Sequence, residues 1–201
     1  MGLTGNVASG KSTVAELWRS WGVPVVSADV LARQAVLPGS AGLASVVRAF
    51  GEGILAPDGS LNRAALRRVV FDDDAARRRL EAIVHPSVRV LRDKWTDARR
   101  SWGVELLAWE IPLLYETGAD REVDRVVFVD APEAERERRM VQHRGLSSEE
   151  ARAIMEAQGD PREKRSMAHH VIDNGGSLAA LRARARQVLE ACAEEVGCPL
   201  R

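Results

Sequence analysis

The chain has 201 residues, 45% of them hydrophobic, with 29 basic and 29 acidic side chains that cancel. That length and apolar fraction suit one folded domain with a real core and exclude a disordered chain. The balanced charge excludes an overall electrostatic footprint for nucleic acid or an anionic membrane, and points to small ligands. No apolar run approaches the ~20 residues of a bilayer-spanning helix, no charged-then-apolar leader opens the chain, and Cys192 and Cys198 lack metal-ligand spacing. A cytoplasmic protein with no nucleic-acid or membrane partner is therefore expected.

The first predicted strand, Met1 to Thr4, runs straight into the loop of MGLTGNVASGKST. Four residues are few against the ~5 to 6 of an ordinary strand, which predicts either an unusually short strand or a start further upstream. Gly5, Gly10, Lys11 and Ser12 fit G-x-x-x-x-G-K-[ST]. In such a loop, successive backbone N–H groups and the following helix N-terminus wrap phosphate oxygens. Ala8, Ser9, Gly10, Lys11, Ser12 and Thr13 are the predicted phosphate-binding residues. Lys11 is expected to reach the β- and γ-phosphates, the Ser12 hydroxyl to ligate Mg²⁺, and Thr13 to lie near the α-phosphate.

From Lys11 to Trp21, apolar Val14, Ala15, Leu17, Trp18 and Trp21 recur near helical spacing, and Gly22 stops the helix. VPVVSAD follows as a buried strand ending on Asp29, at the strand end where ligands bind in open α/β sheets. Two readings of Asp29 stand side by side: it or Ser27 caps the next helix, or it is the base that accepts a proton from an attacking hydroxyl. A helix is expected from about Asp29 to Val36, broken by Pro38-Gly39-Ser40. From Ala41 to about Arg100 the pattern is helical. It is interrupted by the turn Ala56-Pro57-Asp58-Gly59 and again by His85-Pro86, where Pro suits the first position of a new helix. So long an interval is too large for one sheet crossover, and residues 30–101 are assigned to a helical substrate-binding subdomain.

Strands return at VELLAWE and DRVVFVD, short apolar runs of the kind found where both faces of a parallel sheet are covered. Each ends on an acid able to help hold a metal, and on hydrophobicity alone Asp130 is preferred to Glu110. Helices are expected from Pro132 to about His143 and from Ser147 to Gln158, the second opened by a Ser147 and Glu150 capping box. HHVIDN is the last strand, and Leu178 to about Val196 closes the chain as a helix. Arg136, Arg138, Arg139 and Arg144 crowd one segment, either as a solvated face or as a lid whose arginines close over a transferring phosphoryl group. Residues 132–167 are assigned as that lid region. Strands alternating with helices after a phosphate loop predict an open parallel sheet with helices on both faces.

In chain order, GLTGNVASGKST, GVPVVSADVLAR, GSLNRAALRRVVF, LEAIVHPSVR, EIPLLYETG, DRVVFVDAPEAERERRM, RGLSSEEARAIMEAQ and VIDNGG resemble the dephospho-coenzyme A kinase family over nearly the whole chain. The resemblance implies an α/β fold of the P-loop nucleoside-triphosphate hydrolase type, with a parallel sheet of about five strands, a helical coenzyme-binding subdomain and a lid. It implies phosphorylation of the ribose 3′-hydroxyl of dephospho-coenzyme A, with ATP as co-substrate and Mg²⁺ as cofactor. By the same resemblance Asp29 is the catalytic base with Arg33 accompanying it, and His85 and Arg89 bind the coenzyme. Glu110 becomes the metal-side acid together with Ser12, Arg139 the lid arginine that joins Lys11 and Asp29 in catalysis, and Asn174 a residue on the adenine side of the ATP site. The chain departs from the family pattern at Ser27, which replaces the first acid of Asp-Ala-Asp, and at Glu110, one methylene longer than the usual Asp. His143 and His169 stand where Arg and Asp are common. The alternatives are another small-molecule or nucleotide kinase of the P-loop class and a non-catalytic nucleotide-binding switch. The guanine-reading Asn-Lys-x-Asp is missing, and LSSEE lacks the glycines of a transporter-type Leu-Ser-Gly-Gly.

Overall fold

The computed structural model describes residues 1–71 and 73–198. The elements in chain order are β1 (Gly2–Gly5), α1 (Lys11–Ser20), β2 (Val25–Ser27), α2 (Ala28–Ala35), α3 (Ala41–Phe50), α4 (Arg63–Phe71) and α5 (Asp74–Arg100). After them come β3 (Ala108–Glu110), β4 (Val126–Asp130), α6 (Glu133–Arg144), α7 (Ser148–Glu156), α8 (Pro161–Met167), β5 (His170–Asp173) and α9 (Leu178–Glu195). Two units result, one of Met1–Val26 with the residues from Glu105 onward, the other Ser27–Val104.

The five strands form one sheet in the order β2-β3-β1-β4-β5. β1 runs parallel to β3 and to β4, and β4 parallel to β5. At four residues β1 is short, yet every one of them is buried. The register aligns Leu3 with Glu110, Gly5 with Val129, and Asp130 with Asp173. The phosphate loop and three acids therefore emerge at one edge of the sheet. Leu3, Val127, Val129 and Ile172 pack in one core with Val14, Ala15 and Trp18 of α1 and with Leu181, Ala185, Val188 and Leu189 of α9. Alternation along β4 sends Val126 and Phe128 to the other face, where both are buried as well. Trp18 is wholly buried at little polar cost, because its indole N–H donates to the Ala185 carbonyl at 3.2 Å.

In the second unit, Val36, Leu43, Val46, Ile54 and Leu66 form a separate core against Leu80, Ile83 and Val84 of α5. Here the expected break at His85-Pro86 is corrected, for α5 runs unbroken from Asp74 to Arg100 with Pro86 inside it. An interior proline costs a helix ~3 kcal/mol. The three α5 side chains just before it pack on the unit's core, and burial of one such side chain stabilises by roughly 1.5–3 kcal/mol. Tertiary packing therefore carries the helix past its local break signal. A second difference is α8, which the apolar pattern did not predict. Asp160 caps it by accepting from the Arg162 N–H at 2.8 Å, and Pro161 opens it. Among the described residues no helix is long and apolar enough to cross a membrane.

Candidate active site

The loop between β1 and α1 is shaped by two glycines. A Cβ on Gly5 would overlap the Val129 carbonyl oxygen. Gly10, the N-cap of α1, has φ 99° and ψ 20°, and a Cβ there would overlap Asn174 Nδ2. Between them Ala8 takes φ 56° without being glycine, a left-handed conformation that costs about 1–2 kcal/mol. Asn6 Nδ2 and Ser9 Oγ are buried and, among the described residues, have no hydrogen-bond partner. The loop thus concentrates strain and unpaired polar groups, the condition in which backbone amides and side chains are held ready for an anion. Lys11 Nζ donates to the Gly5 carbonyl at 2.8 Å and the Asn6 carbonyl at 2.9 Å, so its ammonium lies over the first residues of the loop.

Beside the start of α1, Ser12 Oγ donates to Glu110 Oε1 at 3.0 Å. Glu110 is the last residue of β3 and only 7% exposed. A hydroxyl and a carboxylate in contact are two hard oxygen donors, which suits Mg²⁺, an ion that takes one or two protein oxygens and completes its shell with water and phosphate. Among the described residues no group of three or more His, Cys, Asp or Glu forms a metal cluster. Asp130, the acid preferred on hydrophobicity, is engaged elsewhere. Its Oδ1 accepts from the Ala131 N–H at 2.9 Å, and its Oδ2 pairs with Arg165 Nη1 at 2.8 Å, which also holds Asp173 at 2.6 Å.

Arg139 Nη1 donates to the carbonyls of Ala8 at 3.1 Å and Ser9 at 3.3 Å, and Nη2 to the Asn174 carbonyl at 2.8 Å. The Asn174 side chain, in a residue 6% exposed, donates from Nδ2 to the same Ser9 carbonyl at 2.7 Å. Both residues therefore clamp the loop from the β4 and β5 side. Next to them opens a cavity of about 350 Å³ lined by Asp130, Pro132, Arg136, Asp173, Asn174 and Gly175. Arg136 is 4% exposed, and among the described residues its Nε and Nη1 have no hydrogen-bond partner. Sequence reasoning saw it only as one of a crowd of arginines; the available signal was its place three residues before Arg139, on the same helix face. Arg138 fits the solvated-face reading, pairing with Glu135 at 2.7 Å on the surface.

The remaining predicted residues belong to the second unit. Ser27 is the N-cap of α2 but makes no side-chain capping bond, and Asp29 is exposed in the first turn, where a negative charge is favoured. Arg33 follows one turn later, also exposed. His85 and Arg89 are exposed on α5 at i and i+4, on one face of the helix. α2 packs along α5. The structure thus joins Ala8 to Thr13, Glu110, Arg139 and Asn174 in the first unit, and groups Asp29, Arg33, His85 and Arg89 in the second.

Comparison with known proteins adds a family. A family model described as dephospho-CoA kinase (CoaE) matches residues 1–180. A dephospho-CoA kinase of Anaeromyxobacter dehalogenans is 46% identical over 189 residues, covering 94% of this chain and 90% of that protein. A crystal structure of TT1252 from Thermus thermophilus superposes with a TM-score of 0.81 at 42% identity, covering 94% and 95% of the two chains. The dephospho-CoA kinase from Campylobacter jejuni superposes with a TM-score of 0.73 at 27% identity, covering 96% of each chain.

Proposed function

The chain belongs to the dephospho-CoA kinase family and is the ATP-dependent kinase that converts dephospho-coenzyme A to coenzyme A, and we propose that Lys11 and Asp29 carry the transfer while Arg139 supports it through the loop. The backbone N–H groups of Ala8 to Thr13 bind the triphosphate, helped by the N-terminus of α1. Lys11 exchanges its two loop carbonyls for β- and γ-phosphate oxygens. Ser12 and Glu110 would hold Mg²⁺, which supplies neutralising charge on the β- and γ-oxygens. Asn174 and the adjoining cavity take the adenine end, where Arg136 brings unpaired donors to the acceptor atoms of the base.

Arg33, His85 and Arg89 bind dephospho-coenzyme A. Asp29 accepts the proton of the ribose 3′-hydroxyl as that oxygen attacks the γ-phosphorus; the bond to the β,γ-bridging oxygen breaks, and ADP leaves with the electron pair. The exposure of Asp29 in the first turn of α2 supports this role, since its carboxylate is open to an incoming hydroxyl. Arg139, expected over the transferring phosphoryl group, acts instead by fixing the carbonyls of Ala8 and Ser9, which orients the neighbouring amides. Two unpaired cysteines suit a cytoplasmic setting.

The observation that carries this reading is the Ser12 to Glu110 contact beside a strained, partly unsatisfied phosphate loop. Product identification tests it. Purified protein with ATP, Mg²⁺ and dephospho-coenzyme A is expected to form coenzyme A and ADP in equal amounts. Preference for shikimate or a nucleoside monophosphate as acceptor would overturn the substrate assignment.

A further inference from the structure

The loop has a third clamp, from the segment between α7 and α8. Gln158 Oε1 accepts from the Val7 backbone N–H at 2.7 Å. Because Val7 offers a donor, the amide oxygen must face it, which settles the orientation of the amide group. The amide is planar, so its NH₂ group is directed away from Val7; among the described residues it has no hydrogen-bond partner. The position of Gln158 is itself held. Lys164 Nζ donates to the Gln158 carbonyl at 3.2 Å and pairs with Glu116 at 2.5 Å, and the Lys164 side chain is only 17% exposed.

Val7 marks one end of the phosphate cradle. The residues just before it, Gly5 and Asn6, are those whose carbonyls receive the Lys11 ammonium. That ammonium is the group that meets the β- and γ-phosphates, whereas the helix N-terminus lies at the other end of the loop. An amide fixed on Val7 therefore brings its NH₂ group to the end of the loop where the terminal phosphoryl group is expected. A neutral donor suits this place, because a carboxylate of the same shape would face phosphate oxygens with like charge.

We propose that Gln158 is a positioning residue for the terminal phosphoryl group of the triphosphate: its carbonyl is locked on the Val7 N–H, and its NH₂ group donates to a γ-phosphate oxygen as charge develops in the transfer. The proposal rests on the reading that the loop binds ATP. It also gives the Lys164 and Glu116 pair a task, which is to hold the Gln158 backbone at the distance the clamp requires.

The test compares ATP with ADP, since ADP lacks the group that Gln158 addresses. Calorimetric binding of each nucleotide, thermal melts and steady-state kinetics are measured on the full chain, the Gln158→Glu variant and the Gln158→Leu variant. Gln158→Glu keeps an acceptor for Val7, so its melting temperature is expected to match the parent and its ADP affinity to stay within about twofold. Its ATP affinity is expected to fall ~10-fold and kcat ~100-fold, the scale of losing one preorganised donor at a developing charge. Gln158→Leu is expected to lower kcat by at least ~10-fold while changing ADP affinity much less than ATP affinity. Equal weakening of ATP and ADP in both variants, or parental kcat in Gln158→Glu, would overturn the assignment. Failure of the unaltered chain to bind either nucleotide would overturn the underlying reading of the loop instead.

Discussion

The sharing of the Ser9 carbonyl by two donors makes the loop clamp measurable. Asn174→Ala removes one buried hydrogen bond of 2.7 Å, while the backbone bonds of residue 174 to Asp130 and Arg139 remain. Stranding a buried partner costs about 1–3 kcal/mol, but Ser9 keeps Arg139 Nη1 at 3.3 Å, which places the loss in the lower half of that range. A melting temperature lower by roughly 2–8 °C is expected for a chain of this size. Arg139→Met removes the donors to Ala8, Ser9 and Asn174 together, and costs ~2–3 kcal/mol because these bonds carry charge. Only the double variant leaves the Ser9 carbonyl without either donor. Its destabilisation, measured by urea unfolding of all four proteins, is expected to exceed the sum of the single losses by about 1 kcal/mol. Additivity within ~0.3 kcal/mol would refute the sharing and with it the idea of one clamp made from two elements.

Asp29→Asn is expected to bind ATP as the parent does and to lose ~10²–10⁴ in kcat, read in a coupled ADP-release assay; near-normal turnover would remove Asp29 from the role of base. Glu110→Gln keeps an acceptor for the Ser12 hydroxyl, so its melting temperature is expected to hold while the Mg²⁺ concentration for half-maximal rate rises ~10-fold or more. An unchanged Mg²⁺ requirement would place the ion elsewhere. The third expectation concerns pH. Burial pushes the Cys192 thiol up to about 11, with Glu195 adding to the effect. The unfolded thiol ionises first, so the contribution is fully present below the ordinary thiol value and is lost as pH rises through about 11. Urea midpoints are accordingly expected to fall over that alkaline window in the parent and to fall less in Cys192→Ala; parallel profiles would exclude the thiol as the cause.

The parts of this fold that are legible in the sequence are those fixed by local backbone demands or by burial on two faces. Gly5 and Gly10 are required by the Val129 carbonyl and by Asn174, and a glycine pattern is visible without knowing what it avoids. β4 stands out because Val126, Val127, Phe128 and Val129 are all buried. Pro86 misleads because a break signal is local, whereas the packing that outweighs it comes from α2, α3 and α4. α8 escapes notice because it has seven residues, none of them buried, and so no apolar stripe. The choice between Glu110 and Asp130 turns on strand order. β3 and β4 flank β1 on opposite sides, and no local pattern says which side the Ser12 hydroxyl faces; only the resemblance to a family pointed to Glu110. The contacts of Arg139, Asn174 and Gln158 with the loop span 130, 165 and 151 positions of sequence. Such pairs are set by the sheet and are invisible before it is built.

The clamps also explain why the loop tolerates its own composition. A left-handed Ala8 costs about 1–2 kcal/mol, and each unpaired buried polar atom, Asn6 Nδ2 and Ser9 Oγ, about 1–3 kcal/mol. A free loop with those penalties would relax by turning its amides outward or by freeing Ala8. Here Arg139, Asn174 and Gln158 hold it from two directions, each through a backbone group of residues 7 to 9. The hydrogen bonds they make are of the size needed to offset the strain. On the reading that the loop binds a triphosphate, an entering anion meets amides that the clamps already hold in place, and Lys11 is the group that moves, giving up the Gly5 and Asn6 carbonyls. It follows that weakening a clamp acts on nucleotide affinity through the shape of the loop even where the altered side chain touches no phosphate. Arg139, which reaches both Ala8 and Ser9, is the residue through which that effect is expected to be largest.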